Sequence, residues 1–489
     1  MSTITPFRSA QHHLTDPGHR SDQEFCSAAP APAASEPSIP RSTAVPVGPL
    51  LPVTGGNLQA PLVDGNLVRH VNLDYAASAP ALQAVVDHVT EVLPYYASVH
   101  RGAGYASQIS TNLFESARAT ISAFVGARPG DVTIITRNTT DSLNLLAGAV
   151  PATGPGAGEV LVLDVEHHAN LLPWTAGLHR VLPTATSITQ TLARLETALR
   201  ERPATLVAVT GCSNVTGELL PIEDIVTLAH SYGARVVVDA AQLVAHRRIN
   251  LETLGADYLA FSGHKIYAPF GAGVLIGRRD WLDQAPAYLA GGGAVRSVSA
   301  EGFADWAPAP ARHEGGTPNV LGAAALAAAC RAIDALPEGA LQAHEAALAD
   351  RLIEGLRDIP GVRLLQVWDD STDRVGVIGF TVAGHDPGRV AAYLSAEHGI
   401  GVRDGKFCAH PLLARLDVPG GAIRASFGVG SRSEDADRLI TAILALVTEG
   451  ESDDYELVSG RWTPVADPRP APAWAPWPNS PTGVSACND

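Results

Sequence analysis

Two short apolar runs, close together in the chain, do most to limit the folds open to it. Val236-Val237-Val238 ends in Asp239, and Tyr258-Leu259-Ala260-Phe261 ends in Ser262-Gly263-His264-Lys265. Runs of that length without polar alternation read as strands covered on both faces, as in a parallel sheet wrapped by helices. In such sheets the polar groups that follow the strands gather at the carboxyl edge, where ligands bind. Val132–Ile135, Val160–Leu163, Leu206–Val209 and Gly273–Ile276 are runs of the same kind, separated by helix-like stretches such as Leu192–Leu199 and Ile222–His230. The alternation predicts an α/β fold built on a mostly parallel sheet.

Helical periodicity over Leu82–Leu93 and Thr111–Phe124 precedes this region. Beyond about residue 325 the character changes. Helices over Ala323–Leu336 and Leu341–Leu356 lead to strand-like Val362–Gln366 and Val375–Val382, a helix near Gly388–Glu397, then Gly401–Arg403 and Ala422–Phe427. That mixture predicts a smaller α+β domain. The expected division is a Pro/Ala-rich mobile tail over 1–66, a large domain over 67–325, a small domain over 326–450 and a Pro/Trp-rich tail over 451–489. The tails carry too little apolar pattern to offset the entropy of ordering them, and proline disfavours regular structure.

Composition removes several function classes. With 34 Lys+Arg against 50 Asp+Glu the net charge is −16 and no basic run stands out, so neither nucleic acid nor an anionic membrane surface is an expected partner. No apolar run approaches a membrane span. Five cysteines (Cys26, Cys212, Cys330, Cys408, Cys487) lie scattered without metal-ligand spacing, so no metal site is expected and a reducing compartment is. The first residues show no apolar signal region, and the chain is expected to be soluble and cytoplasmic.

The chemistry starts from a scarcity: Lys265 and Lys406 are the only lysines. Arginine can make salt bridges but cannot be deprotonated into a nucleophile, so a retained lysine points to amine chemistry. A lysine and an acid at one sheet edge suit pyridoxal phosphate (PLP): the lysine carries the cofactor as a Schiff base, and the acid, Asp239, keeps the pyridine nitrogen protonated. A surface lysine after a strand is the plainer alternative. Other stations fit the same edge. Arg137-Asn138-Thr139-Thr140-Asp141 opens a helix and offers free N–H groups and hydroxyls to a phosphate, although the same residues also make an ordinary helix cap. His167 follows a strand and is able to stack on a flat ring or shuttle protons, although a lone histidine is more often structural. Asn214 and Gly217 sit in a turn where either binding or turn geometry explains them. Thr317 in Gly315-Gly316-Thr317 is a further hydroxyl for phosphate. Cys408 lies among Arg403, Lys406 and His410, cations that favour a thiolate, and Arg424 is suited to clamp a carboxylate; an incidental cysteine and a salt-bridging arginine fit the local pattern equally.

In order along the chain, LDYAASAP (73–80), SVHRG (98–102), RNTTDSLN (137–144), EHHANLLPW (166–174), SNVTGELLPI (213–222), VDAAQ (238–242), FSGHKIYAPFGAGVL (261–275), EGGTPN (314–319), GVRDGKFCAHPL (401–412) and IRASFG (423–428) resemble the class V aminotransferase family of PLP enzymes. The nearest likeness is to the cysteine desulfurases and selenocysteine lyases of the sulfur-mobilisation type. The resemblance implies the PLP-dependent transferase fold, type I. It implies that Lys265 holds the cofactor, that Asp239 pairs with the pyridine nitrogen, and that Gln242 and Asn214 address the ring oxygen while His167 stacks on the ring. Thr139, Thr140, Ser262 and His264 would hold the phosphate, with Thr317 reaching in from the second subunit of a homodimer. Arg424, with Arg403 and Asn214 nearby, would bind the substrate, and Cys408 would attack the sulfur of L-cysteine, leave L-alanine and keep a persulfide for a sulfur-acceptor protein. The loop departs from the family pattern at Asp404, Lys406 and Phe407, where a threonine and two histidines are expected. Other class V chemistries (transamination, epimerisation, C–S cleavage) share the scaffold and stand as alternatives.

Overall fold

The runs read as strands assemble into one seven-stranded sheet in a computed structural model that describes residues 46–151 and 158–475. The outer parts of both expected tails, with Cys26 and Cys487, lie outside the described residues. The strands are β1 Val132–Thr136, β2 Glu159–Leu163, β3 His179–Leu182, β4 Ala204–Thr210, β5 Arg235–Asp239, β6 Tyr258–Ser262 and β7 Gly273–Gly277, and their spatial order is β1-β7-β6-β5-β4-β2-β3. All run the same way except β7, which is antiparallel to both neighbours. The reversal follows from the short link between Ser262 and Gly273, which is too short for the crossover that a parallel pair needs. β6 and β7 are buried along their whole length, as their apolar runs require, and β1 is buried too although it carries Thr133 and Thr136. β3 carries His179 and Arg180 at the sheet edge and has no apolar run to announce it.

Helix Val320–Asp334, rich in Ala, packs closely against helices Gln83–Val92 and Tyr105–Phe124. The expected domain border at 325 falls inside it, and its side chains belong to the core beneath the large sheet.

A second core lies around the antiparallel sheet β8 Val362–Leu364, β9 Val377–Val382, β10 Arg403–Gly405 and β11 Ala422–Ser426, ordered β8-β9-β11-β10. Helices Ala340–Arg357, Pro387–His398 and Ser433–Thr448 cover it. Val71 and Leu73 are fully buried in this same core, and Val71–Asn72 pairs in parallel with Ile400–Gly401. The chain thus enters through the smaller unit before it builds the larger one.

Both expected tails are ordered where they adjoin the body. Gln59–Pro61 and Leu67–Arg69 form an antiparallel hairpin, and the N–H groups of Leu50 and Leu51 donate to the Val429 carbonyl. Residues 46–66 are therefore not the mobile tail expected of them: Leu50, Leu51, Val53 and Leu62 find apolar partners, and the intervening prolines need no N–H partner. Beyond 450, Tyr455–Val458 and Arg461–Pro464 pair through a turn at Ser459 and Gly460, both with positive φ. This hairpin rests on helix Pro387–His398: Tyr455 is buried with its hydroxyl on Glu397 (2.8 Å), and the Arg389 guanidinium lies 5.1 Å from the Trp462 ring. Proline was expected to exclude regular structure there, but Pro464 sits at the end of its strand, where no ladder bond is lost. No helix among the described residues is long and apolar enough to cross a membrane.

Candidate active site

The carboxyl ends of β1, β4, β5 and β6 lie along one edge of the large sheet, and the stations read from the sequence converge there. Thr139 begins helix Thr139–Ala149 immediately after β1, capped by the Asn138 side chain on the Asp141 N–H. Ser262, at the end of β6, accepts the Thr139 N–H at 2.7 Å and lies 2.6 Å from the Thr139 hydroxyl. The chain packs so closely here that a Cβ on Gly273 would collide with the Asn138 backbone, which explains that glycine. Thr140 is exposed beside this helix end. His264 is half-buried, and burial followed by the Lys265 charge pushes its pKa down to about 4. Thr317 is exposed.

Lys265 ends the tight turn after β6, and Asp239 ends β5 next to it. The two are electrostatically coupled. Burial pushes the Lys265 amine down to about 8; Asp239 opposes that shift and Arg424 adds to it. Burial pushes the Asp239 carboxyl up, while the Ala241 N–H (2.9 Å) and Lys265 pull it back. Amine and carboxylate therefore share one desolvated site. His167 caps the turn His168–Asn170, and its Nδ1 accepts the Ala169 N–H at 3.0 Å. Burial, then Lys265, His168 and Arg424, push its pKa down to about 3. The ring is thus neutral, with its proton on Nε2.

Each of the two amides expected at the ring oxygen spends one N–H on a backbone carbonyl. Gln242 donates to the Ala76 carbonyl at 2.7 Å, leaving its Oε1 buried without a partner among the described residues. Asn214 donates to the Phe407 carbonyl at 2.9 Å. The loop after β10 is held at several points. The Cys408 carbonyl accepts the His168 N–H at 2.8 Å, and Ala409 donates to Lys406 at 2.9 Å. Phe407 and Cys408 both adopt left-handed backbone, with φ of 53° and 51°. Consecutive non-glycine residues there are strained, and the surrounding contacts hold them in place. The Phe407 ring is buried 5.3 Å from the Arg424 guanidinium carbon, and His410 meets His168 edge to face at 4.5 Å. Cys408 is half-buried and within electrostatic reach of Lys265 and Arg424, where a thiolate stabilises both cations. Cys212 and Cys330 are fully buried, and burial pushes both thiols up.

Arg424, in the middle of β11, is 3% exposed; it donates to the Asn214 carbonyl (2.9 Å) and to Asp74 Oδ1 (3.0 Å). Arg403 stands opposite it in register on β10, and is exposed. Sequence reasoning assigned no role to two acids here. One is Asp74, visible only as an acid after the apolar Leu73. The other is Glu166, fully buried between Thr210 N–H (3.0 Å) and the Asn170 amide (2.7 Å), and pushed up to about 8 by burial first and by Asp239 and Asp164 last.

The family model for aminotransferase class-V matches residues 71–439. The chain belongs to the class-V aminotransferase family. A cysteine desulfurase of Dickeya dadantii (strain 3937) is 38% identical over 379 residues, 76% of this chain and 90% of that protein. Among solved structures, the apo cysteine desulfurase from Thermococcus onnurineus NA1 superposes with a TM-score of 0.71 at 34% identity, covering 77% of this chain and 94% of that one. The cysteine desulfurase CsdA (S-sulfonic acid) from Escherichia coli gives 0.68 at 34% identity, covering 76% and 94%. The chain is accordingly an enzyme whose cofactor is pyridoxal phosphate. The site fits that class-V cofactor: a buried amine and carboxylate, a neutral histidine and a hydroxyl-lined helix end lie at one edge.

Proposed function

We propose that the chain is a cysteine desulfurase that converts L-cysteine to L-alanine and holds the released sulfur as a persulfide on Cys408. The observation that carries this reading is the docking of the Cys408 loop onto His168 and Asn214, on the same side of the site as Lys265 and Arg424, whose charges the Cys408 thiolate favours. When bound, the cofactor supplies an electron sink at the substrate's α-carbon. Lys265 anchors it. Lys265 then, as a free amine with a pKa near neutrality, moves the α-proton. Asp239, with its charge sustained by Ala241 and Lys265, keeps the ring nitrogen protonated. His167, uncharged, offers a flat face to the ring. Thr139, Thr140, Ser262 and His264 hold the phosphate, and Thr317 of a second copy in a homodimer completes that cradle. Arg424 grips the substrate's α-carboxylate, with Arg403 and Asn214 beside it. The Cys408 thiolate attacks the substrate sulfur: the S–S bond forms, the C–S bond breaks, and its electron pair stays with the carbon that becomes alanine's methyl group. An acceptor protein in the cytoplasm takes the sulfur from Cys408.

Cys408→Ala tests this directly. Sulfur release from L-cysteine is expected to fall about a hundredfold or more, with the cofactor still bound. Unchanged turnover would replace this reading by another class V activity on the same scaffold, and amino-group transfer to a 2-oxo acid would identify it.

A further inference from the structure

Arg403 and Arg424 face each other across β10 and β11, so two guanidinium groups leave one face of the small sheet side by side. Asp74 meets them there. Its Oδ1 accepts from Arg424 Nη2 at 3.0 Å, with the acid 27% exposed and the guanidinium 4%. Among the described residues it is the one carboxylate bonded to Arg424. The acid is held firmly. The Leu73 carbonyl accepts the Ser426 N–H at 2.7 Å, and the Ala76 N–H donates to Ser426 Oγ at 2.9 Å, so both flanks of Asp74 are pinned to β11. Arg403 and Lys265 also lie within its electrostatic reach. The Asn214 carbonyl takes Nη1 and the Phe407 ring lies beside the guanidinium, while Nε is buried without a partner among the described residues.

Arg403 and Arg424, paired in register, and Asp74 together carry one positive charge, which a single α-carboxylate neutralises; Lys265 and Asp404, of opposite sign, are also in electrostatic reach and offset each other. A second acidic group on the ligand would leave an excess negative charge beside the buried Arg424, where charge is costly. We propose that Asp74 is a specificity-determining residue, which competes with the substrate for Arg424 and tunes the pocket to amino acids with one carboxylate and an uncharged side chain. The proposal rests on the reading of Arg424 as the carboxylate anchor.

Calorimetric titration of the holoenzyme with L-alanine and with L-aspartate tests it. Asparagine keeps the acceptor oxygen that holds Arg424 and removes only the charge. Asp74→Asn is expected to tighten L-alanine binding by about three- to tenfold, and to tighten L-aspartate by more. Asp74→Ser, also uncharged but packed differently, is expected to do the same. A merely structural Asp74 would predict the opposite sign, because a loosened guanidinium binds both ligands more weakly. Weaker or unchanged L-alanine binding in both variants overturns the proposal. Arg424→Gln separates the two readings. If it weakens L-alanine, the anchor stands and the Asp74 variants alone decide; if it leaves L-alanine unchanged, the anchor and this proposal fall together.

Discussion

Lys265 is held where its charge is disfavoured, and that has a measurable cost in stability. Its amine is pushed from 10.5 to about 8 by burial, while an unfolded chain keeps the ordinary value. Between those two pH values the unfolded chain binds more protons, so this residue's contribution to stability rises with pH and is least favourable below about pH 8. Methionine has a similar length and no charge. Apoprotein carrying Lys265→Met is therefore expected to be more stable than wild type at neutral pH, by on the order of 1–2 kcal/mol once the solvent-reached part of the side chain is allowed for. The gap should close as pH approaches 10.5, and denaturant titrations at both pH values check it. A fold that gains stability by losing its reactive amine is what a site selected for chemistry looks like.

At the scale of elements, the joint between the large sheet and the small one depends on a side chain with no sequence signal. Glu218 is fully buried, and its two oxygens accept the N–H groups of Val367 (2.7 Å) and Trp368 (3.0 Å) from the segment after β8. Glu218→Ala strands both donors and is expected to cost about 2–4 kcal/mol, read as a lower unfolding midpoint, with the chemistry at Lys265 intact in whatever folds. From sequence, Glu218 was one letter inside SNVTGELLPI. The strands legible in advance were those whose apolar runs are unbroken, such as β5 and β6, because full burial writes itself into composition. β3 was not, since an edge strand tolerates His179 and Arg180, and neither was the antiparallel run of β7, which chain length between strands decides. Lys265, Asp239, His167 and Cys408 were legible because each follows a strand or sits in a distinctive motif. The pairing of Asp74 with Arg424 was not, because it joins residues from opposite ends of the chain and no local pattern records it. The hairpin Tyr455–Pro464 did leave a mark, the Ser459-Gly460 turn between alternating residues, masked by the prolines around it.

For the whole molecule, the exposed Thr317 separates a site built by one chain from a site built by two. On the proposed homodimer, Thr317→Ala is expected to weaken cofactor binding about tenfold. Mixed dimers of Thr317→Ala and Lys265→Ala chains should regain tight binding at one site of the two, the one that joins an intact lysine to an intact threonine. Equilibrium dialysis of the cofactor against mixed and unmixed preparations checks it; no recovery on mixing would place Thr317 in its own chain's site or in none. The path of the backbone also bears on how such a molecule comes into being. Leu50, Leu51, Val71 and Leu73 are among the first described residues, yet they rest on Val429, Ile400 and β11, which are translated near the end. On a ribosome these early leucines and valines emerge without partners and wait through the synthesis of the entire large sheet. The nascent chain thus possesses Lys265 well before the corner formed by Asp74 and Arg424 exists, so the proposed carboxylate anchor is completed late in translation.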